Sequence, residues 1–339
     1  MGRFGAASGN AARTGRALRG SAVNAKPAYA FIGLGHLGAN LAACLVRQGF
    51  TVYAVDRDPA RAEKLVGLGA IAMASPAEAA HTAGNAITCL PSPAVSEAVL
   101  AGPDGLIEGL PECGTWIEMS TNGRDEIVRL AGIASEHGIR TLECPVTGGV
   151  HLAAEGKITA LVGAEAADLE AHRRAIEAMC ARVFHMGPIG SAAVIKVITN
   201  MLAFIHLQAT SEALMLAKKG GLDLAQAFHA IAASSGTSFV HETEGQLILN
   251  GSYDIDFTMD LALKDLGFAL AMGREWGSPL RLAELVNATF EKGKAVYGGG
   301  AQSPMIAQLL EDETGVDLRA PGFPAKLQPV AGNGRGGSL

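Results

Sequence analysis

The sequence predicts an α/β fold class: a doubly wound parallel sheet in the N-terminal half, followed by an all-α C-terminal domain. Three observations carry this. Short apolar runs alternate with helical patterns from Ala28 to about residue 187, which is how βαβ units read. A glycine cluster follows the first apolar run and opens the first helix. After residue 190 helical periodicity takes over, beginning with one long apolar-rich segment over 191–220.

The elements follow in order. Ala28–Ile32 is apolar and reads as a buried strand, and 38–48 is an amphipathic helix closed by Gly49. TVYAVD (51–56) is the next strand and ends on Asp56. AITCLP (86–91), TWIEMS (115–120) and TLECPV (141–146) are further short buried strands, with helices between at 59–67, 76–81, 93–100 and 123–137. ITALVGAE and ARVFHMG extend the sheet to about residue 187. Beyond 190 no strand is expected, only helices at 191–220, 222–233, 258–276, 279–296 and 303–312. The domains are therefore set at 28–190 and 191–318, with an extension at 1–27 and a Gly- and Pro-rich disordered tail at 319–339.

At 339 residues the chain has room for two cores. A net charge of -6 argues against a nucleic-acid partner, which wants a basic face. Cys44, Cys89, Cys113, Cys144 and Cys180 are scattered, with no metal-ligand spacing, and read as reduced thiols; no metal site is expected. No uninterrupted apolar run reaches the ~18–20 residues that span a bilayer, so no membrane partner is expected. Residues 1–27 hold Arg3, Arg13, Arg16, Arg19 and Lys26 and no acid. That composition fits a transit peptide and equally a disordered extension; the disordered reading is preferred, with a cytoplasmic location.

Gly33, Gly35 and Gly38 spell G-x-G-x-x-G, with Leu34, His36 and Leu37 between them. After a strand and before a helix, this spacing allows a tight turn and close approach of the backbone to a pyrophosphate, as in a Rossmann-type domain. The helix N-terminus adds partial positive charge. Asp56 stands where a ribose-binding carboxylate belongs, which predicts NAD; Arg57 beside it keeps NADP as the alternative.

Lys196 and Asn200 are four apart on the long helix and share a face. A lysine among Val194, Ile195, Val197 and Ile198 either snorkels off the helix or loses solvation and drops its pKa toward neutrality. In ECPVTGGVHLAAEG (143–156), two adjacent glycines mark either an ordinary turn or a small anion nest.

Four segments in order now resemble the β-hydroxyacid dehydrogenase family, typified by 3-hydroxyisobutyrate dehydrogenase. FIGLGHLGANLA resembles its dinucleotide signature, ECPVTGGVHLAAEG its substrate signature, GPIGSAAVIKVITN its Lys-and-Asn signature, and LKDLGFAL a late Lys-Asp-Leu motif. Glu143 stands for the usual Asp, Thr147 for the usual Ser, and His36-Leu37 for a variable residue and Met. The resemblance implies that Thr147, Gly148 and Gly149 grip a substrate carboxylate. It implies that Lys196 is the general acid–base and that Asn200 orients the reacting hydroxyl. Leu90 and Pro91 would pass over the nucleotide, Thr121 would sit by the nicotinamide ribose, and Lys264 would reach the cofactor. Phe257 and Asp265 would border the substrate.

The implied activity is hydride transfer between NAD and a small 3-hydroxy acid of the 3-hydroxyisobutyrate kind. The alternative is a reductase of small aldehyde acids such as tartronate semialdehyde, glyoxylate or succinate semialdehyde. More remote is a non-catalytic nucleotide-binding scaffold, which would be expected to lack the lysine. The resemblance also extends to 6-phosphogluconate dehydrogenases, but their acid seven residues after the lysine is here Ala203. A small carboxylate is the expected ligand. Apolar faces on the helices predict a homodimer or homotetramer through the helical domain. His206, Ser238, Phe239 and His241 are candidates for the substrate pocket.

Overall fold

The computed structural model describes residues 26–327. The rest of the 1–27 extension and residues 328–339 of the tail lie outside the described residues. The first half runs β1 (Tyr29–Ile32), α1 (His36–Arg47), β2 (Val52–Val55), α2 (Pro59–Val66), β3 (Ile71–Ala72), α3 (Pro76–Ala83), β4 (Asn85–Thr88), α4 (Pro93–Ala101), α5 (Leu106–Gly109) and β5 (Thr115–Glu118). It continues with α6 (Arg124–Glu136), β6 (Arg140–Glu143), β7 (Val146–Thr147), α7 (Val150–Ala154), β8 (Ile158–Gly163), α8 (Ala166–Met179) and β9 (Cys180–Gly187). The second half is helical: α9 (Ser191–Lys219), α10 (Leu224–Ala232), α11 (Phe239–Asn250), α12 (Met259–Glu275), α13 (Arg281–Tyr297), a 3₁₀ turn at Ser303–Met305 and α14 (Ile306–Thr314).

The strands lie in the order β3-β2-β1-β4-β5-β6-β8-β7, with β9 on β8. From β3 to β6 every pair is parallel. β8 then runs antiparallel to both β6 and β7, while β9 is parallel to β8. The sheet is thus parallel-dominant, as expected, with β8 the exception against β6 and β7. The chain turns back through the Gly148-Gly149 loop and the short α7, too little for a parallel crossover. Successive residues alternate between faces. Tyr29 and Phe31 enter one apolar core with α1 and α8, while Ala30 and Ile32 enter another with Leu100, Trp116 and Ile127. Both faces are covered, so the sheet is doubly wound as expected.

Helix starts follow local chemistry. Asp58, Ser75 and Ser92 cap α2, α3 and α4 with side-chain acceptors, each before a proline. By contrast α1, α6 and α9 begin on Gly35, Gly123 and Gly190, with no bond from the capping residue's own side chain. Three helices were not anticipated, the short α5, α8 and α11. α11 buries most of its surface and keeps only a narrow outer stripe, Glu242, Gln246 and Asn250.

α9 begins against β8 and β9 and ends in the helical bundle with α11, α12 and α14. By length and hydropathy (1.5) it is the one described helix that passes for a membrane span. Here it is the central helix of the second half, and it carries buried Lys196 and Asn200. The disordered-tail expectation is corrected for 319–327. Arg319 bonds buried Glu311 (2.6 Å) and the Tyr253 hydroxyl (2.9 Å), and Phe323 packs edge-on to Phe228. An ion pair with a buried acid and an aromatic contact outweigh the Gly and Pro content of that stretch.

Candidate active site

The dinucleotide turn follows β1. Gly33 has φ +95°, and a Cβ there would collide with the Cys89 carbonyl; one on Gly38 would collide with the Gly33 carbonyl. Leu90 presses on Gly33 from the next strand end, and its N–H donates to Ser120 Oγ at 2.7 Å. Pro91 beside it is exposed. Gly35 is open: a Cβ would meet nothing nearer than Arg61 Nη1 at 3.8 Å. Leu34 is buried and Leu37 packs on the core below. The uncapped first turn of α1 thus presents bare amides on an open side, a cradle that fits a dinucleotide pyrophosphate.

Asp56 is fixed by the backbone. Its Oδ2 accepts from Leu34 N–H (2.7 Å) and its Oδ1 from Asp58 N–H (2.9 Å). The guanidinium nearest to it is that of Arg61, at 3.9 Å. Arg57, expected beside it, is exposed. The sequence reading missed Arg61, which comes back one helical turn later on α2. His36 leaves the turn and pairs with Asp256 at 3.1 Å, bridging to the helical half.

The buried polar chain lies between the halves. Lys196 Nζ donates to Asn200 Oδ1 at 2.8 Å. Asn200 Nδ2 donates to Asp265 Oδ2 at 2.6 Å. Lys264 Nζ donates to Asp265 Oδ1 at 2.7 Å and to the Thr121 carbonyl at 3.0 Å. Lys196 is 7% exposed and Asp265 1%. Burial pulls the Lys196 pKa down to about 8; Asp265 opposes this and Lys264 adds to it. The snorkelling alternative is thereby removed. Asp265, expected to border the substrate, accepts from both Asn200 and Lys264, and through Lys264 it links α9 and α12 to the Thr121 loop.

The TGG loop lies next to α9, which packs on β7. Gly148 (φ +129°) and Gly149 (φ +87°) occupy the region that favours glycine. Their N–H groups donate to no acceptor among the described residues. His151 covers Gly149, and its ring stacks on Phe239 from α11 (centroids 6.3 Å, 16°). This contact between the halves was not foreseen for His151. Phe257 packs on Phe204 at 5.9 Å, and its N–H donates to Gln302 Oε1. Of the other pocket candidates, Ser238 caps α11 and His206 is exposed. His241 is buried under Phe228 with its Nε2 at the Phe228 carbonyl, so it belongs to the core.

A two-domain chain with a glycine turn for a dinucleotide and a buried amine at the domain seam defines a class, the NAD(P)-dependent hydroxyacid dehydrogenases. The profile described as the NAD binding domain of 6-phosphogluconate dehydrogenase matches residues 28–187. That described as NAD-binding of NADP-dependent 3-hydroxyisobutyrate dehydrogenase matches 190–310. The chain is 32% identical to 2-(hydroxymethyl)glutarate dehydrogenase of Eubacterium barkeri over 289 residues, 85% of this chain and 96% of that protein. It is 29% identical to L-threonate dehydrogenase of Haemophilus influenzae, over 84% of this chain and 95% of the other. Among solved structures, the 3-hydroxyisobutyrate dehydrogenase of Mycobacterium tuberculosis with L-serine superposes with TM-score 0.75 at 27% identity, covering 84% of this chain and 99% of that one. The chain belongs to the β-hydroxyacid dehydrogenase family.

Proposed function

We propose that the protein oxidises a small 3-hydroxy acid of the 3-hydroxyisobutyrate kind, with NAD preferred and Lys196 as general acid–base. The observation that carries this is the buried Lys196 amine, held by Asn200 and Asp265 and shifted to about 8. Neutral Nζ takes the hydroxyl proton in oxidation; the ammonium returns it in reduction. Asn200 fixes the amine and orients the hydroxyl. The amides of Gly148 and Gly149 and the Thr147 hydroxyl hold the carboxylate, so positioning supplies much of the rate. When bound, the nicotinamide ring supplies the hydride chemistry. Asp56 accepts from a ribose hydroxyl and repels a 2′-phosphate, which supports NAD; Thr121 and Lys264 close the far side.

The same pKa favours a second reading. At pH 7 a group titrating near 8 is about ten-to-one ammonium, the form that serves reduction of an aldehyde acid. One experiment separates them: kcat/KM for 3-hydroxyisobutyrate, 2-(hydroxymethyl)glutarate and L-threonate with NAD+ and NADP+, and for small aldehyde acids with NADH and NADPH. A 3-hydroxy acid with NAD+ is expected to lead. Tight nucleotide binding without turnover in either direction would leave only a scaffold. Exposed Leu282, Leu285 and Val296 on α13 support a homo-oligomer through the helical half, which light scattering would size.

A further inference from the structure

Glu143 is the last residue of β6, and the chain runs from it through Pro145 into the Thr147 loop. It is 2% exposed. Its Oε2 accepts from Gly190 N–H at 2.7 Å, and the backbone amides of Ala192 and Ala193 oppose the burial that raises its pKa. These are the opening amides of α9, which starts on Gly190 (φ +94°) without a cap of its own. Lys196 follows within two turns of the same helix. One buried carboxylate therefore joins the strand that leads to the TGG loop to the helix that carries the amine.

Two neighbours make the arrangement specific. Gly163, at the end of β8, is bare where a Cβ would collide with Glu143 Oε2 and come within 3.0 Å of the Pro188 carbonyl. Glu118 is the register partner of Glu143 on β5 and is wholly buried. Its Oε1 accepts from Ser120 N–H at 2.7 Å, and Ser120 Oγ in turn receives Leu90 N–H. Two adjacent carboxylates in a dry interior do not both ionise readily. Burial raises both, Glu143 to about 7. The Gly190 amide and the positive end of α9 favour a charge on Glu143.

We propose that Glu143 is a positioning residue for Lys196, pinning the first turn of α9 to the end of β6 so that the amine and the TGG loop keep one register, with Gly163 bare to admit it. The proposal rests on the reading of Lys196 as acid–base, so two of its readouts need no substrate. Full-length Glu143→Gln, Gly163→Ala and Gly163→Ala/Glu143→Asp are compared with wild type. The readouts are hydrogen exchange over 188–200, NADH affinity by fluorescence, and kcat and KM with 3-hydroxyisobutyrate.

For Glu143→Gln, exchange in 188–200 is expected to quicken ~10-fold with α12 unchanged, and kcat to fall ~10-fold or more while KM and the NADH Kd stay within ~3-fold. Gly163→Ala moves the same way, and the shorter Asp restores part of its kcat by withdrawing from the new methyl. Unchanged exchange in both single variants overturns the anchor, whatever the substrate proves to be. A quickened exchange with kcat within twofold of wild type overturns the positioning role. No recovery in the double variant overturns the Gly163 coupling. If Glu143→Gln does not fold, the Gly163 variants decide by the same criteria. Wild type without turnover on 3-hydroxyisobutyrate refutes that substrate, and the other acids of the panel then supply kcat.

Discussion

Asn200 stands one helical turn beyond Lys196 and presents its Oδ1 to the lysine Nζ at 2.8 Å. The amide cannot face the other way without loss. Its Nδ2 donates to Asp265, which as a carboxylate only accepts, and the lysine ammonium only donates. The lysine is therefore aimed by a residue that is itself aimed.

Removal of the amine is the direct test of that chain. Lys196→Ala is expected to lower turnover by at least ~10²-fold and to leave the NADH Kd nearly unchanged. Steady-state rates and fluorescence titration report the two effects separately. Equal turnover would take Lys196 out of the mechanism.

The pH profile has a definite sign. Oxidation needs neutral Lys196, so its rate should rise with pH and level off above about 8, while reduction falls through the same range. Stability follows too. The folded pKa of about 8 lies below the ordinary 10.5, so between these values the unfolded chain binds more protons. This group alone therefore makes stability rise with pH across that window. Urea unfolding of wild type against Lys196→Met, from pH 7 to 10.5, measures the difference.

Cofactor choice turns on Asp56. Asp56→Asn removes the charge that opposes a 2′-phosphate, and Arg61 remains beside it. The ratio of NADPH to NADH affinity should rise by ~10-fold, about 1.4 kcal/mol. Calorimetry with each reduced cofactor gives both constants, and an unchanged ratio would assign the selectivity elsewhere.

The tail is predicted to stabilise the helical half. Arg319→Ala leaves Glu311 buried without its cation and removes one of the two partners of the Tyr253 hydroxyl, which still donates to Glu311. A loss on the order of 2–3 kcal/mol is expected, discounted for the partly exposed guanidinium. Thermal melts should fall by several degrees, with the KM of the cofactor untouched.

Much of the site was legible in local spacing. G-x-G-x-x-G after an apolar run, an acid at the end of the next strand, and Lys196 four before Asn200 are all chain-neighbour relations. What was missed depends on where side chains point and which segments meet. Arg61 reaches Asp56, His151 meets Phe239, and Glu143 meets Gly190, and none of these leaves a periodic mark. The direction of β8 was equally silent, because an apolar run fits a parallel or an antiparallel neighbour alike. α11 has only a narrow outer stripe, Glu242, Gln246 and Asn250, beside a wide buried face.

The sequence by itself determined the order of elements, the glycine turn and which side chains could do chemistry, because short-range sterics and periodicity are written in neighbouring residues. Only the tertiary structure decided that Lys196 is dry and that Asn200 is held between it and Asp265. Solvation and pKa depend on what packs around a group, and that packing is assembled from segments far apart in the chain.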